Sequence, residues 1–206
     1  MINNKDFNIQ TIGECTVESP VKGIRFMEDS EKILYNRVLS SLQTYLEGGK
    51  TPPGFEAAGP RQKIYFDPSE LSCGIVSCGG LCPGINDVIR SIVISLHFHY
   101  GVKKIYGFPY GYQGLNPAYG HEPIELTPKL VNPIGETGGT MLASSRGGQD
   151  TSIMVDTLER MKIGILFCIG GDGTQRGALD ISEEARKRNI KLSVIGIPKT
   201  IDNDIS

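Results

Sequence analysis

The chain has 206 residues, 26 of them glycine, and a formal net charge of −2, which gives no electrostatic basis for nucleic-acid binding. No run approaches the 18 apolar residues of a membrane-spanning helix, and the polar start, Met1–Gln10, lacks the apolar core of a secretory signal, so neither membrane nor leader is expected. The five cysteines form no disulfide framework: Cys78 and Cys82 have no matching Cys/His pair for zinc, Cys168 lies in an apolar run, and Cys15 is isolated. Reduced thiols in a cytoplasmic protein are expected.

Residues 1–70 differ in pattern from the rest and read as an N-terminal extension. Ile33, Leu34, Val38, Leu39, Leu42 and Leu46 fall at helical spacing, predicting one amphipathic helix over Asp29–Leu46 that lies on the body and stops at Glu47-Gly48-Gly49. Thr51-Pro52-Pro53-Gly54 and Ala58-Gly59-Pro60-Arg61 are loop chemistry. From residue 71 onward the pattern is regular. Gly74–Cys78 predicts a strand, and Asn86 is placed to cap a helix over Asp87–His99. Lys104–Phe108 is a strand ending at the turn Gly111-Tyr112-Gln113-Gly114. Gly138-Gly139-Thr140 and Ser144-Ser145-Arg146-Gly147-Gly148 flank a short element. Ile153–Met161 is a helix, Gly164–Ile169 a buried strand, Gln175–Arg188 a helix and Leu192–Ile197 a final strand. The alternation implies an α/β fold, a doubly wound and mostly parallel sheet with helices on both faces, spanning 71–206. Ligands of such sheets bind beyond the carboxyl ends of the strands, where each of these glycine-rich loops falls.

Gly79-Gly80-Leu81-Cys82-Pro83-Gly84 precedes a helix, where unpaired N–H groups and the helix dipole favour a phosphate; it matches neither a Walker loop nor GxGxxG. It reads equally as a plain turn needing glycine. Gly170-Gly171-Asp172-Gly173-Thr174 is more specific. Its glycines admit a polyphosphate, Asp172 offers a Mg²⁺ ligand, and Thr174 can donate to a phosphate. Arg146, among small residues, can grip phosphate oxygens. In Pro198-Lys199-Thr200-Ile201-Asp202-Asn203-Asp204, two carboxylates on alternate residues share a face of an extended segment, roughly 6–7 Å apart. Asp202 suits a base that accepts a hydroxyl proton, Asp204 and Asp172 a metal, and Lys199 the neutralisation of a transferring phosphoryl group.

Taken in this order, these segments resemble the N-terminal half of 6-phosphofructokinase. The resemblance rests on Gly79–Asn86, Gly111–Leu115, Gly138–Thr140 with Ser145–Gly147, the Gly170 loop and Pro198–Asp204. It implies that Gly80, Arg146, Gly147 and Gly171–Thr174 contact ATP, that Asp172 serves Mg²⁺, and that Thr200, Ile201 and Asp202 meet fructose 6-phosphate, with Asp202 as base toward its 1-hydroxyl. Pyrophosphate-dependent members carry Asp where this chain has Gly173, and Lys where it has Lys199; common ATP-dependent members carry Gly at both. The mixture resembles the atypical ATP-dependent clade of the pyrophosphate-type subfamily, so ATP is the expected donor and glycolysis the setting. Family members carry a second, sugar-phosphate-holding lobe that these residues lack, so an inactive fragment is expected, with a homo-oligomer, dimer or tetramer, once that lobe is present. A pyrophosphate-dependent enzyme, an inactive nucleotide-binding half, and a lipid- or NAD-kinase relative are the alternatives.

Overall fold

A computed structural model describes residues 9–202 together with residue 7. The chain falls into two units, Met1–Tyr65 and Phe66–Ser206. In the first, β1 (Val17–Glu18) and β2 (Lys32–Leu34) are followed by α1 (Leu39–Glu47), β3 (Gly54–Glu56) and β4 (Lys63–Ile64). Two antiparallel ribbons form, β1 with β4 and β2 with β3. Arg61 ties the loops together, bonding Asp29 at 2.8 Å and the Ala57 carbonyl at 2.7 Å.

The helix predicted over Asp29–Leu46 is therefore shorter than its apolar spacing suggests. Lys32–Leu34 pairs with Gly54–Glu56, a partner no local pattern could announce. The Asn36 side chain accepts from the Val38 N–H at 2.9 Å, an Asx turn that separates strand from helix. The C-terminal boundary at Gly48 falls where the Gly48-Gly49 pair placed it.

The second unit comprises β5 (Ser72–Ser77), α2 (Ile85–Ile94), β6 (Lys104–Phe108), β7 (Ile124–Glu125), α3 (Pro128–Val131), α4 (Thr151–Arg160), β8 (Ile163–Gly170), α5 (Asp172–Lys187) and β9 (Ser193–Pro198). Among the described residues, five strands make one sheet in the order β7-β6-β5-β8-β9. Strands β6, β5, β8 and β9 are parallel, and β7 closes the edge antiparallel. One face of the sheet buries Met154, Val155 and Leu158 of α4 with Ala178, Ile181 and Ala185 of α5. The other buries Ile85, Ile89 and Val93 of α2 with Val131 of α3. An irregularity at the start of the β5–β8 pairing turns β8 over, so that Leu166 and Cys168 join Ile163 on the α4–α5 face. This is the expected α/β architecture with helices on both faces.

Four local expectations change. Helix α2 starts at Ile85 after Gly84, whose φ of 85° is left-handed, so Asn86 is not a cap. It is buried, donating to the Thr137 carbonyl and accepting from the Met141 N–H, both at 2.8 Å. After Ile94 the helix widens into a π turn over Ser95–His99. Between Gly138 and Gly148 the chain forms turns only, without the predicted short element. Finally, α5 begins at Asp172 rather than Gln175, so half of the glycine-rich stretch is already helix.

Candidate active site

Strand order reverses at β5: the chain moves to β6 on one side and then to β8 on the other. Loops leaving β5 and β8 therefore diverge at a topological switch point, where doubly wound sheets bind their ligands. A cleft of about 850 Å³ lies there, lined by Gly79 and Gly80, Ser145 to Gln149, Gly170 to Gly177, and Pro198 to Asp202.

Each wall is fixed by identifiable bonds. The Gly79 N–H donates to the Ser145 carbonyl at 2.9 Å, and the Ser144 hydroxyl donates back to the Gly79 carbonyl at 2.5 Å. The Ser145 hydroxyl donates to the Tyr110 carbonyl at 2.6 Å. These staples hold exposed Arg146 over the first loop, 3.7 Å from the point where a Cβ on Gly80 would stand. The third wall is tied in by Lys199. Its N–H donates to the Gly170 carbonyl at 3.0 Å, and its ammonium group donates to the Gly80 carbonyl. Lys199 thus bridges the ends of β5, β8 and β9, while Ile201 packs on Gly80.

Helix α5 opens onto the cleft with Gly171 at its N-cap and no side-chain cap, leaving first-turn N–H groups for an anion. Asp172 and Gly173 are exposed in that turn. A Cβ on Gly173 would meet nothing within 4 Å. The donor set fits a hard divalent cation carried on phosphates, which takes one or two carboxylates plus phosphate oxygens and water. No cluster of three potential metal ligands exists among the described residues. Asp202 is exposed and lines the cleft with Thr200 and Ile201. Asp204 lies outside the described residues.

Thr174 departs from its expected orientation. It is 7% exposed, and its side chain packs tightly beside Gly170 in the cleft wall, near Cys78. Burial pushes the Cys78 thiol up to about 11, opposed by bonds from the Tyr112 backbone and Thr174 and by the Lys199 charge. Burial likewise raises the Tyr112 phenol well above its usual range. That hydroxyl donates to the Thr174 carbonyl at 2.6 Å.

Sequence reasoning missed Tyr112 as a clamp, and Gln175, whose amide donates to the Gly170 carbonyl at 2.9 Å. Gln149 was missed too: Asn116 donates to it at 2.9 Å, and it reaches the Tyr119 hydroxyl at 3.4 Å. These partners are 30 to 62 residues apart in the chain, beyond any local pattern, whereas Gln175 bonds five residues back.

Fold and cleft together define an α/β protein whose open helix N-terminus and carboxylate-bearing strand end face one cleft. Residues 72–206 match the profile of the Phosphofructokinase family. The ATP-dependent 6-phosphofructokinase of Borreliella burgdorferi is 48% identical over 205 residues, which is 98% of this chain and 46% of that protein. ATP-dependent 6-phosphofructokinase 7 of Arabidopsis thaliana is 54% identical over 151 residues, 73% of this chain and 30% of that protein. The solved pyrophosphate-dependent phosphofructokinase from Marinobacter aquaeolei has a TM-score of 0.59 at 23% identity, over 65% of this chain and 34% of its own, a likeness of fold. The chain belongs to the phosphofructokinase family and spans less than half the length of these curated relatives.

Proposed function

We propose that the polypeptide carrying this chain transfers the γ-phosphoryl group of ATP to the 1-hydroxyl of fructose 6-phosphate, a glycolytic step of the cytoplasm. The observation that carries the choice of donor is the bare first turn of α5. Gly173 has room where a side chain would otherwise project into the cleft, and ATP must place its α-phosphate close to that backbone. Relatives 44% and 48% identical over nearly the whole chain are named ATP-dependent enzymes, which supports the same reading.

In this reading the N–H groups of the α5 first turn, with Gly80, Gly147 and the Arg146 guanidinium, hold the polyphosphate. Asp172, with phosphate oxygens, would hold Mg²⁺, which would supply charge neutralisation on the transferring group. Thr174, whose N–H already donates to the Gly171 carbonyl and whose side chain packs against Gly170, supports the loop. Asp202 takes the proton of the sugar hydroxyl as the phosphorus–oxygen bond forms and ADP leaves. Thr200 and Ile201 border the sugar. Lys199 leaves the Gly80 carbonyl for the transferring group, or holds the loop in place from where it is; Lys199→Met separates the two roles, since only the first costs kcat without loosening ATP binding. The acceptor's phosphate is held outside residues 1–206, and the active form is a homo-oligomer.

Steady-state rates with MgATP and with pyrophosphate test the assignment on the full-length protein. ATP is expected to be the donor. A pyrophosphate rate equal to or above the ATP rate overturns it.

A further inference from the structure

Gly173, Arg176, Gly177 and Asp180 all line the cleft. Their spacing, i, i+3, i+4, i+7, is one face of α5. The core is served by another face, that of Thr174, Ala178, Ile181 and Ala185. The cleft-facing stripe is therefore not dictated by packing against the sheet. At 1.5 Å per residue, Asp180 stands about 10 Å beyond Gly173 along the helix axis. That stretch suits a ribose and a base when the phosphates sit at the first turn.

The middle of the stripe is rigid. A Cβ on Gly177 would lie 2.6 Å from the Tyr112 ring, so helix and ring are in direct contact. Beyond it, Arg176 and Asp180 are exposed, and neither forms an ion pair among the described residues. Arg preceding Asp by four residues is also the weaker order for a helical pair. Gln149, an amide that also lines the cleft, is already bonded through both its oxygen and its nitrogen. What remains is one acceptor-only group and one donor-only group, a turn apart, at the far end of a phosphate cleft.

We propose that Asp180 and Arg176 read the nucleobase and select adenine over guanine. This rests on the ATP reading above. Adenine presents an N6 amino donor beside the N7 acceptor, the complement of a carboxylate beside a guanidinium; guanine presents two acceptors, O6 and N7. Asp180 accepts from the amino group, and facing guanine it meets O6 instead. Arg176 donates to N7, which both purines share.

The test uses the full-length protein with MgATP, MgGTP and inorganic tripolyphosphate, which has no base. Binding is read by calorimetry, and phosphoryl transfer to the sugar is read in parallel. Asp180→Asn is expected to weaken ATP about tenfold and to improve GTP, because its amide donates to O6. Tripolyphosphate affinity stays within about twofold. Arg176→Ala weakens both purine nucleotides alike. An unchanged ATP-to-GTP ratio in Asp180→Asn overturns the proposal, as does a tripolyphosphate affinity that shifts in step with ATP. A wild-type protein that draws its phosphoryl group from pyrophosphate overturns the donor assignment instead, and the calorimetric ratio still decides the base reading.

Discussion

Replacing Gly173 by Asp separates folding from function more cleanly than any other change in the cleft. Nothing lies within 4 Å of a Cβ at this position, so the new side chain meets no steric resistance from the protein. It enters the first turn of α5, where a carboxylate interacts favourably with the helix dipole by about 0.3–1 kcal/mol. The exchange itself adds little more, because aspartate ranks only just above glycine in helix propensity. The variant is thus expected to melt slightly above the wild type. The same carboxylate projects into the void proposed for the α-phosphate of ATP. Two unit charges held at about 4 Å repel by about 4 kcal/mol at an effective dielectric constant of 20, a loss of about a thousandfold in affinity. Thermal unfolding and MgATP calorimetry on the full-length variant measure both quantities. Retention of ATP affinity within about tenfold, or a clear drop in melting temperature, refutes the reasoning.

Asp202→Asn keeps the shape of the base but cannot take the proton; kcat is expected to fall by about 10²–10⁴-fold with the KM for ATP nearly unchanged, and a loss under fivefold in stopped-assay rates removes Asp202 from that role. Tyr112→Phe deletes the 2.6 Å bond to the Thr174 carbonyl, which keeps its partner within α5, lowering unfolding free energy by about 0.5–1.5 kcal/mol in denaturant titration. Burial raises Cys73 and Cys168 to about 12 and Cys78 to about 11, so these thiols stay protonated in the folded protein after those of the unfolded chain ionise near 9. Stability from them is whole below pH 9 and declines as pH climbs toward 11–12, which melting temperatures at pH 8 and pH 10 detect as a fall.

The α/β body was legible because each of its inner strands is a short apolar run with glycine at or within three residues of its end, a pattern that depends only on neighbouring residues. β6 fell on its predicted bounds, Lys104–Phe108. β8, buried or half-buried throughout, ran one residue beyond its prediction at each end. What escaped depends on distant partners. β2 exists because Gly54–Glu56 lies beside it, and Ile33 with Leu34 mimics a helical pair until that ribbon is known. Asn86 has the position and chemistry of a cap, yet Gly84 already turns the chain into α2 and frees the amide to span 51 and 55 residues to Thr137 and Met141. Lys199 reads from sequence as a free cation, whereas the fold brings it to the Gly80 carbonyl 119 residues earlier. Thr174 reads from sequence as an open phosphate donor, whereas the fold buries its side chain against Gly170 in the cleft wall.

The two glycines of the α5 stripe show where a sequence stops being informative. Each costs a helix interior about 1 kcal/mol relative to alanine, so each needs a reason. At Gly177 the reason is occupied space, because the Tyr112 ring stands where a methyl group would go. At Gly173 the reason is empty space, because nothing in the protein fills the position. Alanine at the first should strain the fold; alanine at the second should leave the fold intact and crowd the ligand. The same residue type, four positions apart on one face, thus serves packing in one case and the reactant in the other, and only the surroundings of a missing Cβ tell them apart.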